Sequence, residues 1–480
     1  MNSLIKSNFV KPMNQYYVSR FQPPRSVFTV LNEKELDILK KKILGSETNF
    51  VRPIPKTSML NKTEEELKDI LDTMIMEESD GVKLYKTRTN YVNKLEKPEQ
   101  PSLVFINGAF AFSGYPYSIE LTPDKLKSLD FDIVTKCRFF EANEGTVLRV
   151  FNANDKWYTI TNKKIDAFSS KWAAKTETFG CHLAKSLFVL FNQDHTGDMS
   201  DFDDIITAKE YVNQIWSASL DPKKRYFFLL KSSKEEKIVC DIDMAILNIG
   251  VIDENNHLSL DEMVKLTQLS QNSTPSRDVI VPNPIEHRIS SLDELTRKIN
   301  NIDPKKYAGL LAIFKTDFSG NDIEADIEQH IHIKLLNPTY KRLQSLRGNI
   351  PSLRFRFFQL TYLSNREMQL NPPVQPSYVE DFKQLYYPQC ENMLEAVWVV
   401  AQDLFKKYQS IYVKHETVYE ELLPKTESTL RIIHNEYLIS KQPTTQQKIT
   451  DILSYLEPEK LNQLIREHEY EIKRQNKPNQ

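Results

Sequence analysis

Glycine is scarce in this chain, and its placement narrows the possible folds more than any other feature. Only 11 of the 480 residues are glycine, at positions 45, 81, 108, 114, 145, 180, 197, 250, 309, 320 and 348, roughly a third of the ordinary share. No two of them lie two or five positions apart. A dinucleotide-binding turn needs G-x-G and a phosphate loop needs G-x-x-x-x-G-K, because in both the backbone amides must approach phosphate closely. Both classes are excluded. With 40% hydrophobic and 27% charged residues, the chain has the composition of an ordinary soluble protein and can bury a core large enough for two or three domains.

Lys and Arg number 63 against 65 Asp and Glu, a formal net charge of -2. No global field therefore draws the protein to nucleic acid or to an anionic membrane, and any basic site must be local. The four cysteines, Cys137, Cys181, Cys240 and Cys390, never form C-x-x-C. That spacing argues against a zinc knuckle or a dense disulfide framework and for a reducing compartment. Met1 to Val10 lacks the apolar stretch of a signal peptide, and nothing approaches the roughly 18 apolar residues of a membrane span. The expectation is an intracellular, cytoplasmic protein without a membrane partner.

The pattern along the chain is α+β. Residues 1–100 are rich in charge, with helical stretches at Glu33 to Leu44 and Glu64 to Glu77, and read as a helical N-terminal extension. Residues 101–370 carry short aromatic and β-branched runs that predict strands at Leu103 to Ile106, Thr146 to Phe151, Lys156 to Thr161, Arg225 to Leu230, Lys237 to Cys240, Gly309 to Phe314 and Ile331 to Leu336. A helix is predicted where Phe179, Leu183, Leu187 and Phe191 recur on one face. Ser270 to Pro284, with three prolines, reads as an exposed loop, and three further prolines in Asn371 to Pro376 mark a boundary. Residues 371–480 read as a helical domain. Its apolar face runs from Met393 through Trp398 to Tyr408 and is taken as core, with His434 and His468 on solvated faces.

The stretch that carries chemistry is Thr159 to Trp172, centred on Lys164-Ile-Asp166. In an extended segment Lys164 and Asp166 project to one side. A lysine becomes a nucleophile when a cationic neighbour or desolvation favours the neutral amine, and Lys163, Lys171 and Lys334 are candidate neighbours. His330, His332 and Lys334 alternate with Ile331, Ile333 and Leu335, predicting a strand with one buried face and one anion-facing face.

Lys164-Ile-Asp-Ala167 resembles the K-x-D-G motif of the covalent nucleotidyltransferases, the superfamily of ATP-dependent ligases and capping enzymes. Downstream, in the family's order, Arg225 to Cys240 resembles the paired strands that wall the nucleotide pocket. Tyr307-Ala-Gly-Leu-Leu-Ala-Ile-Phe314 is similar to the E-G-x-V strand, and Ile331 to Tyr340 to the closing K-x-K strand. The resemblance is to a divergent RNA ligase of the kind found in large DNA viruses, and spans about residues 102–350. It implies a ligase-type domain of mixed and antiparallel sheets flanked by helical segments, intracellular and in some cases virion-associated. It also implies that Lys164 attacks the α-phosphate of ATP to form lysine-AMP, which passes to an RNA 5′-phosphate. Lys334 would neutralise the phosphate and Arg149 would assist, with Asp166 and His332 in the nucleotide site. Magnesium would sit on the phosphates.

Three departures bear on activity. Ala167 replaces the motif glycine, Ala308 stands where the E-G-x-V glutamate belongs, and Tyr226 to Leu230 offers no carboxylate. Glu141, Glu144 and Asp166 are possible replacements. Two alternatives to the RNA ligase follow: a noncatalytic scaffold that kept the fold after losing the acids, and an mRNA-capping guanylyltransferase using the same lysine with GTP. Outside this pattern, Asn192 to Asp203 approaches a calcium loop with Gly197 at its sixth position but ends in the short Asp203, so it reads as an acidic turn. Lys341 to Arg347 and Arg354 to Phe358 form a local basic and aromatic region that could contact RNA, and the alternation in the second equally suits a half-exposed strand.

Overall fold

The computed structural model describes residues 61–71, 74–87, 102–123, 133–171, 177–192, 199–231, 245–268, 277–314, 332–348, 352–367, 377–386, 389–416 and 422–475. The chain divides into two compact units, Met1–Gln344 and Ser345–Gln480. The first unit is α+β and contains every strand among the described residues; the second is helical.

The strands are β1 (Met74–Ser79), β2 (Val82–Thr87), β3 (Leu103–Ile106), β4 (Ala109–Ser113), β5 (Ile119–Leu121), β6 (Cys137–Glu141), β7 (Gly145–Ala153), β8 (Lys156–Thr161), β9 (Arg225–Lys231), β10 (Ile246–Ile252), β11 (Leu258–Ser259), β12 (Val264–Gln268), β13 (Arg277–Val281), β14 (Glu286–His287), β15 (Gly309–Phe314) and β16 (His332–Leu336). They form an N-terminal sheet β1-β2-β3-β4, a central sheet β11-β10-β9-β7-β8, a second large sheet β14-β6-β15-β16-β5 and the ribbon β12-β13. All pairings are antiparallel except β16 with β5.

The central sheet is buried on both faces. Leu148 and Val150 of β7 with Tyr226, Phe228 and Leu230 of β9 pack against α1 (Phe179–Phe191) and α2 (Ile205–Ser219), in a core that includes Trp216. Trp216 stacks on Phe228 at 5.4 Å and donates its indole N–H to Thr159. Phe151, Ile160, Phe227 and Ile252 form the opposite face with Phe112 and Tyr115. Double burial is why β9 reads as one apolar run rather than an alternation. In the second sheet Phe139, Leu310, Ala312, Ile333 and Leu335 pack on Leu295 and Ile299 of α3 (Leu292–Asn301).

Three hairpins close through two-residue turns with both central residues at positive φ: Asp80-Gly81, Asn107-Gly108 and Asn154-Asp155. This backbone matches the right-handed twist of paired strands. It also corrects the expectation of a helix over Glu64 to Glu77, where among the described residues only Lys68–Leu71 is helical and Met74–Ser79 is β1. The Asp80-Gly81 turn pairs β1 with β2, and strand pairing overrides the local helical pattern. The region read as an exposed loop contains β13, paired with β12 from Val281↔Val264 to Arg277↔Gln268. Glu33 to Leu44 and Lys237 to Cys240 lie outside the described residues.

The boundary between units falls within α4 (Pro338–Arg347). The second unit contains α5 (Leu353–Glu367), α6 (Ser377–Leu385), α7 (Gln389–Tyr408), α8 (Pro424–Ser440), α9 (Gln446–Ser454) and α10 (Pro458–Gln475). Met393, Ala401, Leu404 and Tyr408 of α7 are buried, whereas Leu394 and Trp398, taken from the sequence as core, are exposed. His434 stacks on Tyr412 with ring centroids 3.8 Å apart, and His468 faces Asp403 at 3.4 Å, so neither is a freely solvated histidine.

Gly309 opens β15 where the backbones of β15 and β16 meet. It holds φ +152, and a Cβ there would lie 1.9 Å from the Leu335 carbonyl oxygen. Gly309→Ala is expected to lower unfolding free energy by about 1–3 kcal/mol, read as an earlier midpoint in urea denaturation; an unchanged midpoint would show that the strand entry relaxes freely.

Candidate functional site

The two large sheets meet through Tyr115. Its ring lies 4.9 Å from that of His332 on β16 and 5.4 Å from Phe227 on β9, and its hydroxyl donates to the Ile249 carbonyl. Phe227 is the cross-strand partner of Arg149, and two steps along the same face Lys231 is the partner of Gly145. On β16, His332 and Lys334 are two apart and share a face. The register therefore turns Arg149 and Lys231 from the central sheet, and His332 and Lys334 from the second, toward one inter-sheet space. Arg149, Lys231 and His332 are almost fully buried, and Lys334 is half-buried beside Glu120, its partner on β5. The expected open, anion-facing strand face is thus an interior one. Both sides of β16 are covered, because a second sheet stands opposite. His330 and Ile331 lie outside the described residues.

Arg149 is 1% exposed. It donates from Nη2 to Ser102 Oγ (2.9 Å) and to the Thr161 carbonyl (2.8 Å), while Nε and Nη1 have no hydrogen-bond partner among the described residues. Burial pushes its pKa down to about 9, only partly offset by the charge of Tyr117. Glu120 moves the other way: burial raises its carboxyl, against Lys334 and Lys341, which lower it.

Lys164 lies in a turn after β8, built by Thr161. The Thr161 hydroxyl accepts from the amides of Lys163 (3.2 Å) and Lys164 (3.0 Å), and the Thr161 amide donates to the Lys164 carbonyl (2.9 Å). The N-terminal sheet holds this turn from outside. Glu77 of β1 accepts from Lys164 Nζ (3.0 Å) and from the Ile165 amide (3.1 Å), and Lys86 of β2 donates to the Lys163 carbonyl (2.7 Å). Burial alone would raise the Glu77 carboxyl, but these hydrogen bonds and the charges of Lys86 and Lys164 hold it below the usual carboxylate range. The Lys164 side chain remains 52% exposed. Asp166 engages another element: it accepts from the Phe168 amide (2.8 Å) and from Lys209 of α2 (3.1 Å). The segment is a turn rather than extended, so Lys164 and Asp166 take separate partners. Ala167 is buried at negative φ, which its methyl group tolerates.

Three groups that the sequence patterns did not single out as a set gather near the crossover from β6 to β7. Lys231 Nζ lies 5.7 Å from the Tyr307 ring centroid, and Tyr307 hydrogen-bonds Glu141. Glu141 lies beside Ala308, the position at which the motif resemblance expects a glutamate, since the Ala142 amide donates to the Gly309 carbonyl and the Ala308 amide to the Ala142 carbonyl. The detectable signal was a lysine ending the apolar run of β9.

Each of the three candidate acids is engaged by another side chain. Glu141 is taken by Tyr307 and faces His287 at 3.6 Å, Glu144 by Tyr340 and Asp166 by Lys209. Among the described residues the one grouping with metal-ligand spacing is Asp403, His468 and Glu471 in the helical unit. There the Lys407 ammonium already lies 2.9 Å from Asp403 and 2.6 Å from Glu471. Of the calcium-like loop, residues 193–198 lie outside the described residues, and Asp203 pairs with Lys185. In the basic region Arg354-Phe-Arg-Phe is helical, not a strand. Arg354 bonds Asn462 and Glu469, and buried Arg356 donates to the carbonyls of Leu346 (2.7 Å) and Ser345 (2.9 Å), satisfying the end of α4.

No protein-family model matches the chain. It is similar to Immediate-early protein ICP-46 of Frog virus 3 (isolate Goorha), 24% identical over 318 residues, covering 65% of this chain and 69% of the relative. It is also similar to the ICP-46 homologs of Invertebrate iridescent virus 6, 24% identical over 392 residues with 76% of each chain covered, and of Invertebrate iridescent virus 3, 23% identical over 370 residues, covering 75% and 69%. These relatives are viral proteins, the setting that the motif resemblance implied. Solved structures that overlap it include a putative ATP-dependent DNA ligase from Aquifex aeolicus, with TM-score 0.32, 12% identity and 74% and 78% coverage, and an archaeal ATP-dependent RNA ligase, with TM-score 0.34, 10% identity and 76% and 82% coverage. Among the described residues no helix is long and apolar enough to cross a membrane.

Because the Glu77 carboxyl is held below its ordinary value, its stabilisation is fully present above that ordinary value, about 4.3, and is lost as pH falls through the lower folded value. Glu77→Gln is expected to cost about 0.5–1 kcal/mol near neutrality and progressively less below about pH 4, measured by denaturant titration at each pH. A penalty independent of pH would show that the charge of Glu77 contributes nothing.

Proposed function

We propose that the chain is a ligase-type nucleotidyltransferase that binds a nucleoside triphosphate between its two large sheets and carries the nucleotidyl group on Lys164. The observation that supports this most is the convergence of Arg149, Lys231, His332 and Lys334 on one inter-sheet space, next to the turn that displays Lys164. Arg149 ties the two together, because its guanidinium holds the Thr161 carbonyl at the base of that turn. Preplaced cations in a water-poor site stabilise charge developing on a phosphoryl group.

In the reaction Lys164 leaves Glu77, loses a proton and attacks the α-phosphorus. The P–N bond forms as the P–O bond to pyrophosphate breaks, giving lysine-AMP. Transfer to an RNA 5′-phosphate would release the lysine. ATP is the nucleotide and RNA the acceptor that the motif order suggests, with magnesium arriving on the phosphates rather than held by a preformed carboxylate cage.

A second reading has a specific observation in its favour. Lys164 is half exposed and ion-paired, and Ala308 brings no carboxylate to the inter-sheet face, as in a binding scaffold that kept the fold without the chemistry. Incubation with α-labelled ATP or GTP and magnesium or manganese, followed by denaturing electrophoresis, separates the two. A labelled band with ATP, reduced at least 100-fold in Lys164→Ala, is the expected outcome; no label from folded protein with either nucleotide would leave the scaffold.

A further inference from the structure

Lys231 is 6% exposed, yet its ammonium forms no hydrogen bond or ion pair among the described residues. Its amine lies against the face of Tyr307. The acid whose charge reaches it is Glu141, and that carboxylate is committed to the Tyr307 hydroxyl and turned to His287. Burial accordingly pushes the lysine below its ordinary pKa. Two pairs back along the same face lies Arg149, also buried, with Nε and Nη1 unbonded among the described residues.

A lysine and an arginine buried on one face of one sheet, neither facing a carboxylate at ion-pair distance, are costly. An uncompensated buried charge costs several kcal/mol. The ordinary remedy is a carboxylate on the facing element. The second sheet offers His332 and Lys334 instead, and Glu120 there is engaged by Lys341 at 3.4 Å. Glu141 and Glu120, the acids of that sheet nearest these cations, are shared with other partners and neither lies within ion-pair distance of Lys231 or Arg149, so an oxyanion entering the space would meet desolvated donors from two directions.

We propose that Lys231, with Tyr307 beneath its amine and Arg149 on the same face, forms a phosphate-binding site in which Lys231 contacts the ligand directly. This rests on the reading given above and deepens it by assigning a direct ligand contact to Lys231, which the Arg225 to Cys240 resemblance placed in a pocket wall without a role. The phosphate has two possible sources, the polyphosphate of a nucleotide or the backbone of a polynucleotide, and each is a separate arm of the test.

The experiment is titration calorimetry of the full chain with tripolyphosphate, ATP and a 5′-phosphorylated RNA oligonucleotide. The variants are Lys231→Met, Lys231→Arg and the exposed control Lys223→Met, each checked for folding by its thermal transition. Met fills the buried site without a charge, so Lys231→Met is expected to fold. Tripolyphosphate should bind the wild type, the control and Lys231→Arg within threefold of one another and Lys231→Met at least tenfold more weakly. ATP following the same order assigns the site to the nucleotide, and RNA alone following it assigns the site to the polynucleotide; either supports it.

A parallel arm reads the amine itself. Pyridoxal phosphate forms an imine with a neutral lysine, losing water, and borohydride then reduces it to a stable amine that peptide mass mapping locates. Label on Lys231 at pH 7, reduced at least fivefold by tripolyphosphate, is expected. Equal tripolyphosphate binding by wild type and Lys231→Met, or no binding by either, would overturn the proposal. The nucleotidyl label on Lys164 stands apart from this result: normal label in Lys231→Met together with unchanged tripolyphosphate binding overturns the phosphate site alone, whereas Lys231-dependent tripolyphosphate binding without any nucleotidyl label in the wild type overturns the enzymatic reading alone.

Discussion

Burial of β9 on both faces is the constraint from which the site follows. Tyr226, Phe228 and Leu230 anchor the helices α1 and α2, and Phe227 faces the other way, against Tyr115. With both faces covered, a polar residue in the middle of β7 or at the end of β9 is drawn into the interior. Arg149 and Lys231 are the buried charged residues that the register assigns to the inter-sheet side, while Arg225, at the far end of the same face, is only partly buried. Tyr115 then links this side to His332, so the packing that stabilises the sheets also brings cations from two of them into one space. Hydrophobic burial supplies the stability, and the cations are a cost accepted within it.

The N-terminal sheet adds a second layer of control. Its hairpin β1-β2 contributes Glu77 and Lys86, which together hold the amine of Lys164, the amide of Ile165 and the carbonyl of Lys163. The lysine turn is therefore shaped by residues 77 to 88 positions away, on strands that precede every motif. Such a clamp orders the turn but also occupies the amine. Attack on a ligand requires the Lys164–Glu77 pair to open, so the hairpin that positions the lysine also opposes its use.

Much of the α+β pattern was legible. The strands β3, β7, β8, β9, β15 and β16 and the helix α1 occur where the aromatic and β-branched runs or the helical periodicity lie, because double burial leaves a long apolar signature. What escaped was set by pairing between distant segments. The Asp80-Gly81 hairpin turns part of an apparently helical stretch into β1, and only the Asp-Gly dipeptide announced it. Arg356 looked like a surface contact in an alternating strand and is instead a buried cap on the carbonyls of α4. For the site, Arg149, Lys164, His332 and Lys334 were nameable from order and alternation. Glu141 and Tyr307 were named for other reasons, and their meeting with Lys231 was not legible, since it depends on the crossover between sheets rather than on any local spacing.

The central claim is that the space between β7 and β9 on one side and β16 on the other holds a phosphate-bearing ligand. A crystal structure of the full chain grown with a non-hydrolysable ATP analogue tests it most directly. Phosphate density within hydrogen-bond distance of at least two of Arg149, Lys231 and Lys334 is the predicted result. Analogue bound elsewhere on the chain, with the inter-sheet space closed by protein side chains, would contradict it.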